Sequence, residues 1–260
     1  VAVAAARRGA RVALAGGAGA DDLGEWLRDR LAAEGVELDW FDLVWGTRTP
    51  VALLTADDAG HPRASVYGEG ARAAVTALGE RLDDAVDACD ALLLTSGTMV
   101  EEDERAATLA ARDRALAAGK PVVFDPALRV DRWPTAAAAV REVGGCVQRA
   151  FLVSCSAEEA RQLTGELDPV TAAESLVAAG AEHAVVKLGE GGAILRGGGM
   201  RLEVPGVAAA PVDRTGAGDV VTGVVLAGLA ATGFYPAAIG AALPQAVEAA
   251  ARATERWGAQ

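Results

Sequence analysis

The sequence predicts an α/β fold: a mostly parallel central sheet covered by helices, with a small antiparallel β element inserted. Three observations carry this. Short apolar runs alternate with longer segments of helical period, as in a parallel sheet buried under crossover helices. Helical segments end in stop signals before the next apolar run, as at Gly119-Lys120-Pro121. One stretch, residues 37–73, breaks the alternation and is rich in Trp, Val, Thr and Tyr.

In chain order, the sequence opens inside a helical pattern, and strands are expected at 11–16, 91–95, 121–125, 150–153 and 184–187. Residues 101–118, rich in Ala, Leu, Glu and Arg, form a crossover helix. Further helices are expected at 135–143, 157–163, 170–179 (closed by Gly180), 217–231 and 236–257, the last kinked or broken at Pro244. Between residues 37 and 73, the turn signal Asp57-Asp58-Ala59-Gly60 separates the runs 50–55 and 63–67, which predicts a small hairpin. Taken alone, it reads as an ordinary edge hairpin.

Composition narrows the function. The 260 residues are 52% hydrophobic, ample for a sizeable core, and the formal charge of −12 argues against a nucleic-acid surface. Three scattered cysteines do not make a disulfide framework, which suits a reducing cytoplasm. His61 and His183 are isolated and read as surface residues rather than ligands. No apolar run is long enough for a membrane span, and no export signal opens the chain, so neither nucleic acid nor membrane is an expected partner. Gly16-Gly17-Ala18-Gly19 invites a dinucleotide-binding reading, with Asp39 about where a ribose partner would stand. The Asp21-Asp22 pair at that helix start would repel a pyrophosphate.

The most informative stretch is Asp213-Arg214-Thr215-Gly216-Ala217-Gly218-Asp219, running into the apolar segment from Val220. Small residues followed by a carboxylate leave unobstructed N–H groups at the first turn of a helix, where free donors and the helix dipole favour an anion. Gly216 and Gly218 let the backbone approach a phosphoryl group, and Asp219 would stand against it as a base for an attacking hydroxyl. The chemistry implied is phosphoryl transfer to an alcohol. The plainer alternative is a glycine-rich entry to a buried helix.

This segment resembles the second signature of the PfkB, or ribokinase-like, carbohydrate kinases, Asp-Thr-Thr-Gly-Ala-Gly-Asp, from which only Arg214 departs. Other blocks follow in the family's order. Residues 1–14 resemble its first helix and following strand, and Gly19-Ala20-Asp21-Asp22-Leu23-Gly24 its Gly-Asp-Asp-x-x-Gly turn. Asp125-Pro126-Ala127-Leu128-Arg129 is similar to Asp-Pro-Asn-x-Arg, and Ser156-Ala157-Glu158-Glu159 to Asn-x-x-Glu. Residues 185–193 resemble the strand and turn beside the nucleotide. The resemblance implies a three-layer α/β/α sandwich formed by residues 1–36 and 74–260, with 37–73 as a small β lid that in several members also makes a homodimer contact. It also implies that the chain is truncated at both ends, the missing opening carrying an early sugar-binding aspartate.

The implied activity is ATP-dependent sugar phosphorylation. Asp219 would be the general base, with Gly216, Ala217 and Gly218 as the anion hole. Ser156, Lys187, Gly189, Gly192 and Val247 would border ATP, while Tyr67, Asp125 and Arg129 would join Asp219 around the sugar. Glu159 would hold Mg²⁺ through water, and Asp213 and Thr215 would flank a K⁺ site. Each has a plainer reading: Glu158 and Glu159 as first-turn carboxylates, Asp125 and Arg129 as a structural pair, Gly189 and Gly192 as a β-turn. The Asp-Pro-x-x-Arg block and the Val-x-Lys-Leu-Gly run resemble the fructokinase and 2-keto-3-deoxygluconate kinase branches, and the sugar is expected to be a neutral hexose or ketose. The lean to a neutral sugar comes from Tyr67-Gly68-Glu69, which stands where the keto-deoxy acid branch has Tyr-x-Arg. Ser156 and Ala127, replacing two asparagines, motivate the alternative of a non-catalytic nucleotide or sugar sensor.

Overall fold

The computed structural model describes residues 1–56, 62–67 and 74–259. Its centre is a six-stranded sheet of order β10-β9-β8-β7-β6-β5, built from β5 (Leu92–Thr95), β6 (Val122–Asp125), β7 (Leu152–Ser156), β8 (His183–Lys187), β9 (Gly192–Gly197) and β10 (Met200–Pro205). Strands β5 to β8 pair in parallel, and β9 and β10 close one edge antiparallel. Alternate residues of these strands feed two cores. Val122, Phe124, Val153, Cys155, Ala184, Val186 and Ile194 face one, and Val123, Leu152, Val185, Ala193 and Leu195 the other. Burial on both faces explains the unbroken apolar runs.

The first core is roofed by α3 (Arg81–Ala88), α4 (Glu102–Ala117), α5 (Ala136–Gly144), α6 (Ala157–Thr164) and α7 (Pro169–Ala178). The second is covered by α8 (Ala217–Ala231) and α9 (Ala237–Ala253), giving the three layers. Helix starts are fixed locally. Thr135 caps α5, Asp168 caps α7 with Pro169 in the first turn, and Ser156 with Glu159 forms a capping box on α6.

A smaller cluster joins α1 (Ala2–Ala6) and α2 (Asp22–Ala33) to a parallel pair, β1 (Gly16–Gly19) and β2 (Phe41–Val44). An antiparallel hairpin, β3 (Val51–Ala56) with β4 (Pro62–Tyr67), forms its own two-stranded sheet. Asp21 ties α2 to the base of that hairpin. Its carboxylate caps Gly24 N and accepts from Thr49 N at 2.9 Å and Thr49 Oγ1 at 2.6 Å. These bonds, the Thr49 side chain's first, hold the Asp21 carboxyl below the usual carboxylate range.

Three sequence expectations need correction. Residues 11–16 are not a strand: Ala13 makes one isolated bridge with Glu37, and the strand is the glycine run 16–19, held by its pairing with β2. Helix α9 passes through Pro244 as one helix, ending at Ala253 rather than 257. Pro244 is exposed, so its ring and the bond it cannot make lie on the solvent side. His183 is buried, its Nδ1 2.8 Å from Phe151 O. Strand β10 alternates exposed residues with half-buried ones and the buried Val204, and was not anticipated. The turn predicted at 57–60, His61, and Gly68 and Glu69 lie outside the described residues.

Candidate active site

Parallel strands end together, so Asp125, Ser156 and Lys187, at the carboxyl ends of β6, β7 and β8, share one edge of the sheet. Helix α8 begins over that edge. Gly216 is its N-cap, in the left-handed region with φ of 78° where a side chain would be strained, and no side chain caps the helix. The opening turn therefore presents the Gly218 and Asp219 N–H groups without a protein side chain competing for them, while Ala217 N donates to Arg214 O at 3.3 Å. Asp219 stands in that turn with its side chain 54% exposed, and the Val1 backbone nitrogen lies 3.9 Å from its Oδ1.

Beneath the turn is a buried polar cluster. Lys187 Nζ lies 3.0 Å from Asp125 Oδ2, with side chains 11% and 6% exposed. Thr222, one turn into α8, donates to Asp125 Oδ2 at 2.6 Å and meets Ser154 Oγ at 2.8 Å and Lys187 Nζ at 3.3 Å. Asp125 thus pairs with Lys187, whereas Arg129 is exposed, so the Asp125–Arg129 pair weighed from the sequence gives way to Asp125–Lys187. Tyr67 stands on β4 and is 60% exposed.

Glu159 joins two elements. Its Oε1 accepts from Leu128 N at 2.7 Å, and its Oε2 from Ser156 N and Oγ, both at 2.8 Å. Oε1 keeps a lone pair for a metal-bound water while Oε2 is filled by its two bonds, and among the described residues no group of three or more His, Cys, Asp or Glu converges to form a cage. The residues fit water-mediated Mg²⁺ held chiefly by phosphates rather than a protein-built metal site. Asp213 Oδ1 accepts from Thr215 N at 2.9 Å and Oδ2 from Gly258 N at 3.0 Å. Thr215, side chain first, with the Gly258 amide, holds the Asp213 carboxyl below its ordinary range.

Arg214 pairs with Glu190, which lies in the Gly189–Gly191 turn after β8, so the loop before α8 and this turn are linked across the cleft edge. Gly189 and Gly192 both have positive φ there. Val247 is buried on α9 among the core residues. Two hydroxyls carry no motif in the sequence, Ser154 and Thr222. Thr222 is a lone hydroxyl in an otherwise apolar run, four residues after Gly218, but nothing local links it to Ser154.

An anion-ready helix start set over the carboxyl edge of a helix-covered parallel sheet is the architecture of ribokinase-like phosphotransferases. The chain belongs to the pfkB family of carbohydrate kinases, whose family profile matches residues 1–260. It is thereby an enzyme of the class that transfers phosphoryl groups to sugar hydroxyls.

Among curated relatives, the chain is 30% identical over 228 residues to probable fructokinase-4 of Arabidopsis thaliana, covering 87% of this chain and 70% of that protein. Among solved structures, it is similar to fructokinase from Vibrio cholerae O395 in its fructose, ADP and calcium ion bound form. That match has a TM-score of 0.85 and 27% identity, over 99% of this chain and 84% of the other. Fructokinase with bound ATP from Xylella fastidiosa aligns with a TM-score of 0.84 and 27% identity, over 99% and 83%. Among the described residues no helix is long and apolar enough to cross a membrane.

Proposed function

We propose that the protein is an ATP-dependent sugar kinase of the fructokinase type, working on a neutral hexose or ketose in the cytoplasm. The observation that carries this reading is the uncapped Gly216–Asp219 helix start above the buried Asp125–Lys187–Thr222 cluster. The fructose-, ADP- and ATP-bound relatives support the substrate pair. Bound ATP supplies the transferable phosphoryl group, with Mg²⁺ offsetting its charge.

The chain's own residues do the rest. Asp219, half exposed, accepts the proton of the attacking sugar hydroxyl. The main-chain N–H groups of the 216–218 turn donate to the non-bridging oxygens, where charge develops. Asp213, fixed by Thr215 and Gly258, is the carboxylate beside which K⁺ would bind. Glu159 and Ser156 order the 126–129 loop against α6 and would orient a water on Mg²⁺. The hairpin β3–β4 serves as the lid over the sugar and as the contact between two copies.

The test is ATP consumption with Mg²⁺, in K⁺ or Na⁺, across hexoses, pentoses, keto-deoxy acids and nucleosides, beside Asp219→Asn. Turnover is expected on fructose or a related hexose, with kcat lowered about 10²- to 10⁴-fold in the variant. Equal rates in the two proteins would remove Asp219 as the base. Silence on every substrate from a folded protein would favour the sensor.

A further inference from the structure

We propose that Lys187, Asp125 and Thr222 form a buried strut that fixes the glycine turn of α8 over the sheet, with Lys187 acting as a positioning residue rather than a nucleotide ligand. This rests on the kinase reading above.

The first argument is hydrogen-bond accounting. Thr222 Oγ1 has one proton and two lone pairs. At 2.6 Å from Asp125 Oδ2 its proton goes to the carboxylate, so it accepts from Lys187 Nζ at 3.3 Å and from Ser154 Oγ at 2.8 Å. The hydroxyl is then saturated, and the 3.3 Å approach of Gly218 O is proximity rather than a further bond. One fully buried helix residue thereby gathers side chains from three adjacent strands: Asp125 of β6, Ser154 of β7 and Lys187 of β8.

The second argument is placement. A Cβ built at Gly218 would stand 3.5 Å from Lys187 Nζ, so the ammonium packs directly against the glycine turn. Its side chain is 11% exposed and held by Asp125 at 3.0 Å. Two of its three donors go to Asp125 at 3.0 Å and Thr222 at 3.3 Å, and moving the ammonium off Asp125 to reach a phosphate would leave a buried carboxylate without its counter-ion, which is strongly unfavourable. Lys187 therefore acts through the turn. Anion-hole donors count only while they are held in place, and a misplacement of about 1 Å can cost about 10²-fold in rate.

The experiment compares Thr222→Val, Thr222→Ser and the double variant Lys187→Met with Asp125→Asn, which leaves no unpaired buried charge. Two readouts are taken: kcat and KM for ATP and sugar, and amide hydrogen exchange of residues 216–221, which needs no substrate. Thr222→Val and the double variant are expected to lower kcat about 10- to 100-fold, with KM for ATP changed less than about threefold. Exchange at 216–221 should quicken about tenfold, and Thr222→Ser should restore both readouts.

Unchanged exchange and kcat in Thr222→Val would overturn the strut. So would a double variant that raises KM for ATP while keeping kcat, because Lys187 would then be a ligand, or one that keeps wild-type values throughout, because the pair would then only neutralise itself. If the wild type turns over no sugar while Thr222→Val still loosens 216–221, the kinase reading falls and the strut stands.

Discussion

Ala127 sits at φ of 42°, in the left-handed region that L-residues with a Cβ occupy at a cost of roughly 1–2 kcal/mol. The family pattern resembled by Asp125-Pro126-Ala127-Leu128-Arg129 places Asn there. Asn is among the few residues that tolerate this backbone, so the position has a conformational reason for Asn beside any polar contact. Ala127 is exposed, which leaves room for a longer side chain. Ala127→Asn is expected to stabilise the fold by about 1 kcal/mol, or about 2–4 °C in Tm. Ala127→Gly should gain less, because glycine also frees the unfolded chain. Thermal melts of the two variants check this, and a fall in Tm for both would mean that the backbone there is not strained. Ser156, the other replaced asparagine, has a clear local role as half of the α6 capping box, so the change to Ser keeps the helix start intact.

At the scale of elements, the packing of α1 on α8 depends on Gly223. A Cβ there would lie 2.6 Å from Ala4 Cβ, 2.8 Å from Val1 O and 3.0 Å from Ala5 N, distances that require α1 to move. Gly223→Ala should gain about 1 kcal/mol of helix propensity and lose about 1–3 kcal/mol to overpacking, a net loss of up to about 2 kcal/mol in denaturant melts. A stabilised variant would show that α1 does not press on α8 at this point. The same dependence on contacts explains which elements could be read from the sequence. Strands β6, β7 and β8 were legible because burial on both faces writes itself as apolar runs. Strand β1 was not, since Gly16–Gly19 has no strand-forming side chains and is extended because β2 pairs with it. The turn at Gly216–Asp219 was visible as a local motif. Thr222 and Ser154 were not, because only the sheet brings positions 154 and 222 together.

For the whole molecule, the unsettled surface is the hairpin β3–β4. A two-stranded sheet alone is marginal in water and needs cover on a face. Cross-strand partners share a face, so the register Val51↔Tyr67 and Leu53↔Ser65 collects Val51, Leu53 and Tyr67 on one side, 38%, 52% and 60% exposed. Two chains each carrying a formal charge of −12 repel one another, so any association of copies through this face must be driven by apolar burial. That fixes the direction of the salt effect: screening the repulsion should tighten the dimer, whereas a contact built on ion pairs would loosen. Light scattering after gel filtration is expected to give about twice the 26.3 kDa chain mass, with the dimer fraction rising between roughly 50 and 500 mM salt. Leu53→Lys with Tyr67→Lys should run as a monomer and show a raised KM for sugar, since the hairpin would lose the support that holds it over the substrate. A wild-type protein that stays monomeric at tens of micromolar in both salts would sink the lid contact between copies, and leave the hairpin to be covered by its own chain and substrate alone.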